Sequence, residues 1–170
     1  ISTGASIGFV TRILPDGWID PVFGINGFYL EFGMETGVTA VGVDPSGRIW
    51  LLGRLLADGT GWWIFQLLDT VGNPSDNCAL TFPGYGFETT IPTAMAFQPD
   101  GNVLLGGWGR TGSPDYFASM AVARILGSTL NLDPTFGGGG TGELVITDAI
   151  PRTASGKPDL TAVRSHFAQS

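Results

Sequence analysis

Histidine, cysteine and lysine each occur once in this 170-residue chain, as His166, Cys78 and Lys157. A lone cysteine excludes an intrachain disulfide and a Cys-based zinc site, and it leaves the redox compartment open. A lone histidine leaves one way to build a Ser-His-Asp triad. Ser165 and Ser170 are its neighbours in sequence, no Gly-x-Ser-x-Gly is present, and His166 lies in a terminal segment. No catalytic residue is therefore expected. The basic residues are seven Arg and the one Lys, scattered through a chain of net charge −7. Without a basic patch to displace counterions, no nucleic-acid partner is expected. No run of about 18 apolar residues exists, so no membrane span is expected. The chain begins at Ile1 rather than Met; either a leader was removed or this is a piece of something longer. Asn73-Pro74-Ser75 is blocked as a glycosylation acceptor by its proline. No segment shows a 3.6-residue apolar period.

What is abundant is glycine, 27 residues, in a chain 43% hydrophobic. That composition provides a core and many tight turns. The glycines recur in an internal repeat. Asp20-Pro21-Val22-Phe23-Gly24 returns as Asp133-Pro134-Thr135-Phe136-Gly137. Each follows an Arg-Ile-Leu, at Arg12–Leu14 and Arg124–Leu126. Thr39-Ala40-Val41-Gly42-Val43-Asp44-Pro45-Ser46-Gly47 is echoed by Thr93-Ala94-Met95-Ala96-Phe97-Gln98-Pro99-Asp100-Gly101. Aligned on Arg12, Gln66 and Arg124, the units stand 54 and 58 residues apart. Asn73–Asp76 then reads as a degenerate copy of the Asp-Pro-x-Phe-Gly turn. Aligned on Thr39, Thr93 and Thr161, the second spacing grows to 68, the excess falling in the loop-like stretch Thr147–Leu160.

Each unit reads as four short strands. Thr39–Val43 and Thr93–Phe97 are first. A Pro-x-Gly turn follows, with Pro presetting φ and Gly accepting positive φ. Ile49–Leu55 and Val103–Trp108 are second, Trp62–Leu68 and Ser119–Leu126 third, Cys78–Phe82 and Glu143–Thr147 fourth. Ile49-Trp50-Leu51-Leu52 is apolar on both faces, as befits a strand covered on both sides. Gly53, Gly106 and Gly107 are expected to permit close backbone approach. Four-stranded units of this length fit an all-β, β-propeller-like array of four-stranded antiparallel blades, because one such sheet cannot cover both its faces and stacked neighbours can.

The pattern resembles the delta-60 repeat family. The residues that carry the resemblance are Ala96–Gly107, then Ala121-Val122-Ala123-Arg124-Ile125, then Leu132-Asp133-Pro134-Thr135-Phe136-Gly137, with Val43–Ile49 matching in the preceding unit. It covers roughly residues 9 to 147, and the middle unit departs from it at Asn73–Asp76. The resemblance implies a bacterial β-propeller protein that is secreted, periplasmic or at the cell surface, with no common catalytic residue set.

The chain is expected to form a single repeat domain, 1–170, of about two and a half to three blades. These are a partial blade over 1–32, blades over 39–82 and 93–147, and a partial blade over 161–170, with a strand at Thr161–Phe167. Closed propellers typically have about four to eight blades. The chain is therefore a fragment of a longer array, or associates with itself (a dimer would give six blades), or is an open stack capped by protein partners.

Most features that suggest chemistry have a structural explanation. Gly137–Gly142 matches the spacing of a dinucleotide loop, but a strand rather than a helix is expected after it. Asp16, Asp20, Asp44, Asp58, Asp100 and Asp133 fall at turn positions that Asx-type hydrogen bonding explains. Calcium would use such oxygens, yet the Asp-x-Asp-x-Asp loop is missing. Neither a cofactor nor a metal site is expected. The aromatics remain. Trp50 aligns with the core position Leu104, whereas Trp108 aligns with Arg54 and is expected to face outward or toward a channel. Trp62 and Trp63, being consecutive, point to opposite faces of a strand. Trp62, Trp63, Trp108, Tyr85 and Tyr116 are the candidate contacts for a protein partner or a glycan. The expected function is a non-enzymatic structural or interaction module. A lectin-like module and a hydrolase built on carboxylates are the alternatives.

Overall fold

A computed structural model of the chain describes residues 8–31, 37–57, 60–80, 87–111, 118–137, 142–146 and 161. The all-β expectation holds. Among the described residues, ten strands form three antiparallel sheets in sequence order. β1 (Gly8–Thr11) pairs with β2 (Phe28–Glu31) in the first sheet. β3 (Val38–Val43), β4 (Ile49–Ala57), β5 (Thr60–Leu68) and β6 (Pro74–Leu80) form the second as a meander. β7 (Phe87–Phe97), β8 (Val103–Thr111), β9 (Ala118–Ile125) and β10 (Glu143–Ile146) repeat it in the third. Thr161, where a further strand was expected to begin, has helical backbone; the rest of that segment lies outside the described residues.

One turn serves four hairpins. The amide of Asp44, Asp69, Gln98 or Leu14 donates to the carbonyl four residues on, and the glycine amide of the same turn donates back to that first residue's carbonyl. The glycines Gly47, Gly72, Gly101 and Gly17 all lie at φ between 85° and 88°. This is a type I turn closed by a glycine bulge. Aspartates within the turn lock it. Asp44 Oδ1 accepts from the amides of Ser46 and Arg48, and Asp69 Oδ1 from those of Val71 and Asn73. Asp16 and Asp100 accept from Trp18 and Asn102.

The turn corrects two readings of the repeat. Ile49 pairs with Leu68 and Val103 with Ile125. Leu67, not Gln66, therefore occupies the place of Arg12 and Arg124, and the true spacings are 55 and 57. Asn73–Asp76 is not a degenerate turn. The turn is Asp69–Gly72, and Pro74–Asp76 already lies in β6. The middle unit has lost the whole Asp-Pro-x-Phe-Gly bend, and its fourth strand starts earlier than Cys78.

The second sheet lies between the other two, and alternation along its strands serves both neighbours. Ile49, Leu51 and Leu68 pack with Phe23, Val10 and Tyr29 toward the first sheet. Trp50, Leu52, Trp63, Phe65 and Leu67 pack with Val103, Leu105, Ala121, Ala123 and Ile125 toward the third. The expectation that Ile49–Leu52 is covered on both faces is met. Gly107 supports the close-approach reading: a Cβ there would lie 2.2 Å from Ile91 O and 2.7 Å from the Trp63 ring. Gly106 does not, since its Cβ would meet nothing within 4 Å.

Candidate functional site

Each sheet carries one Arg-Asp-aromatic cluster, and local sequence builds it. In the first sheet the Asp20 amide donates to Arg12 O, which brings the Asp-Pro-x-Phe bend back under the strand. Arg12 then pairs with Asp20 (Nη2–Oδ2 2.6 Å), and its guanidinium stands 5.3 Å from the Phe23 ring. The third sheet repeats this. The Asp133 amide donates to Arg124 O, Arg124 Nη2 lies 2.6 Å from Asp133 Oδ2, and the guanidinium stands 5.0 Å from the Phe136 ring. In the second sheet, which lacks the bend, the cluster forms within the β3–β4 turn. Arg48 Nε donates to Asp44 Oδ2 at 2.7 Å, Trp50 Nε1 donates to the same oxygen at 3.0 Å, and Arg48 stands 5.7 Å from the Trp50 ring.

These bonds favour the ionised carboxylates. Backbone donation from Val22 and the Arg12 hydrogen bond hold Asp20 below the usual carboxylate range. Thr135, through its hydroxyl and amide, and then Arg124 do the same for Asp133. Asn73 lowers Asp69. For Asp44 burial works upward, but donation from Ser46, Trp50 and Arg48 outweighs it and the carboxyl is held far down. A carboxylate whose pKa is depressed by folding contributes stability above its unfolded value, and that contribution is lost as pH falls toward the folded one. Unfolding free energy is therefore expected to fall steeply below the ordinary aspartate pKa of about 3.9. Urea titrations across that range check it. The acid limb should be shallower in Asp44→Asn, and equal limbs in the two proteins would refute the assignment.

The two outer faces are apolar. The face of the first sheet turned away from the second carries Phe9, Ile13 and Leu30, which are 62%, 55% and 48% exposed. At the end of the turn that follows Ile13, Trp18 is 75% exposed. The face of the third sheet turned away from the second carries Trp108 and Met120, paired across β8 and β9 and more than a third exposed. Leu104 and Val122 lie half-buried on the same face. Two depressions accompany the first sheet. One of about 650 Å³ lies between β2 and the start of β6, lined by Ile25, Phe28, Leu30 and Pro74 among others. A shallower groove of about 350 Å³ follows β1 and is floored by β3, with Phe9 and Val41 on its walls.

The structure separates the sequence candidates. Trp63 is fully buried between the second and third sheets, which removes it as a surface contact. Trp62 is half-buried on the opposite face of β5. Trp108 faces outward, as expected. Tyr85, Tyr116 and His166 lie outside the described residues. Trp18 was missed. Its signal was legible: the residue after the turn glycine is Arg48, Asn73 and Asn102 in three hairpins and tryptophan in the fourth.

The chemical alternatives meet local obstacles. Asp16, Asp20, Asp44, Asp100 and Asp133 all accept backbone amides of their own turns; Asp58 lies outside the described residues. Gly142 is followed by strand β10, not by the helix a dinucleotide loop needs. Burial pushes the half-buried Cys78 thiol up, away from a reactive thiolate. Among the described residues no group of His, Cys, Asp and Glu could hold a metal ion, and no helix is long and apolar enough to cross a membrane. No family model, curated protein or solved structure matches the chain.

Proposed function

We propose that the chain is a non-enzymatic interaction module, a propeller-like array of sheets whose end faces receive protein partners. The observation that carries this reading is the contrast between the middle sheet, covered on both faces, and the end sheets, whose outer faces carry exposed apolar side chains. Contiguous apolar surface of this kind marks an interaction site. The compartment that goes with the delta-60 resemblance, bacterial and secreted, periplasmic or cell-surface, belongs to the same proposal.

Exposed Trp108, with the exposed Arg110 two residues on along β8, favours a second reading, a glycan stacked on the indole. One experiment distinguishes the two. The immobilised chain and its Trp18→Ala and Trp108→Ala variants are compared for saturable retention of protein and for binding on a glycan array. Retention of a protein, including further copies of the chain, that drops at least about tenfold in a variant is the expected result. Glycan binding lost in Trp108→Ala, with no protein retained, would replace the first reading by the second.

A further inference from the structure

We infer that the chain associates head-to-tail with a second copy of itself, the third sheet of one molecule receiving the first sheet of the next. This rests on the interaction-module reading and names its partner.

The argument comes from the two seams inside the molecule. In the first seam, Arg12, held by Asp20 and Phe23, donates to Thr70 O, in the turn of the following sheet. In the second, Arg48, held by Asp44 and Trp50, donates through Nη2 to Gly127 O of the following sheet at 3.2 Å. The first and second sheets thus each offer an arginine, fixed by an aspartate and an aromatic ring, to a carbonyl of the sheet after it. The third sheet has the same device. Among the described residues, the hydrogen bonds of the Arg124 side chain reach only Asp133 and Thr135, both in its own bend. Phe136 beside it stays half-buried, where Phe23 is 1% exposed.

The opposite end has the matching seat. Phe23 docks against the turn Asp69–Gly72: the Gly24 amide donates to Val71 O at 2.7 Å, and a Cβ on Gly72 would lie 2.9 Å from the Phe23 ring. The first sheet has the same turn at Leu14–Gly17, and a Cβ on Gly17 would meet nothing within 4 Å. Among the described residues, a knob without a seat and a seat without a knob therefore stand in the third and first sheets. The first sheet also exposes Phe9, Ile13 and Leu30, and the third sheet exposes Trp108 and Met120 on the face that carries Arg124. Knob and seat differ, so the contact is heterologous and generates a ring or an open filament. Each copy carries −7, so added salt strengthens the association by screening the repulsion between copies.

Sedimentation velocity on the full chain tests this. The wild type is expected to rise above 17.8 kDa with concentration, and more so in high salt. Phe136→Asp disables the knob end and Phe9→Asp the seat end. Each variant alone is expected to associate at least about tenfold more weakly, while an equimolar mixture forms a one-to-one pair through its remaining good ends. Met120→Lys and Leu30→Lys repeat the design should either first variant fail to give wild-type circular dichroism. A wild type monomeric at about 100 µM, folded variants that associate like the wild type, or a mixture that stays monomeric would each overturn the inference. A monomeric wild type that still retains another protein would end the self-association alone; one that retains nothing would end the interaction-module reading too.

Discussion

Replacing Trp50 by alanine is expected to lower the unfolding free energy by roughly 3–5 kcal/mol, the range for truncating a buried aromatic. Trp50 has no exposed surface. Its ring packs 4.9 Å from that of Phe65 within its own sheet and 6.1 Å, edge-on, from that of Phe97 on the third sheet. Alanine leaves a cavity where the two sheets meet and deprives Asp44 of one of its donors. Trp50→Phe separates the contributions, because it keeps most of the ring and removes the N–H. Its cost should be near the net worth of one hydrogen bond to a charged acceptor, about 1.5–3 kcal/mol. Urea unfolding of the three proteins measures both steps. An alanine variant within 1 kcal/mol of wild type, about the mean effect of an arbitrary substitution, would mean that the second and third sheets do not meet through this ring.

The second large effect is expected at Gly72, with Gly17 as its internal control. Both glycines hold the same turn at nearly the same φ, 87° and 88°. Alanine at either position meets the left-handed penalty of roughly 1–2 kcal/mol. Only at Gly72 does the new methyl also strike something, since Gly24 N and the Phe23 ring lie 2.8 and 2.9 Å from it. Overpacking against a fixed backbone adds about 1–3 kcal/mol. Gly72→Ala should therefore lose clearly more stability than Gly17→Ala, and the difference should shrink in a Phe23→Ala background, where only the approach to Gly24 N remains. Equal losses in the two single variants would show that Phe23 does not seat on this turn.

Much of the architecture was legible in residue order. Pro-Asp-Gly and Pro-Ser-Gly marked hairpins that formed where expected, and the doubly apolar Ile49–Leu52 marked the strand covered on both sides. Legibility failed where two positions of similar chemistry lie one residue apart. Gln66 resembles Arg12 and Arg124 as a long polar side chain, but strand register is a matter of parity. It gives the arginine's place to Leu67, whose side chain lies in the seam. The missing bend was read as a weak copy because Asn73-Pro74-Ser75-Asp76 has turn composition; the real turn, Asp69-Thr70-Val71-Gly72, lacks the proline of the others. For the candidate site, sequence separated Trp62 from Trp63 by strand parity but could not say which faces a neighbouring sheet. It was silent on the three clusters, because Arg48, Asp44 and Trp50 assemble from a turn while Arg12, Asp20 and Phe23 assemble from a bend.

The first sheet has only two strands among the described residues, and a two-stranded hairpin is marginal in water by itself. Its order derives from contact with the second sheet, through Phe23, Val10 and Tyr29. A ligand that binds only the ordered form stabilises it in proportion to the logarithm of its own concentration. Anything that docks on Phe9 and Leu30 therefore also fixes the hairpin that presents them. At that end of the chain, occupancy and local folding are one equilibrium, and crowding more ligand onto the surface is the same act as building it.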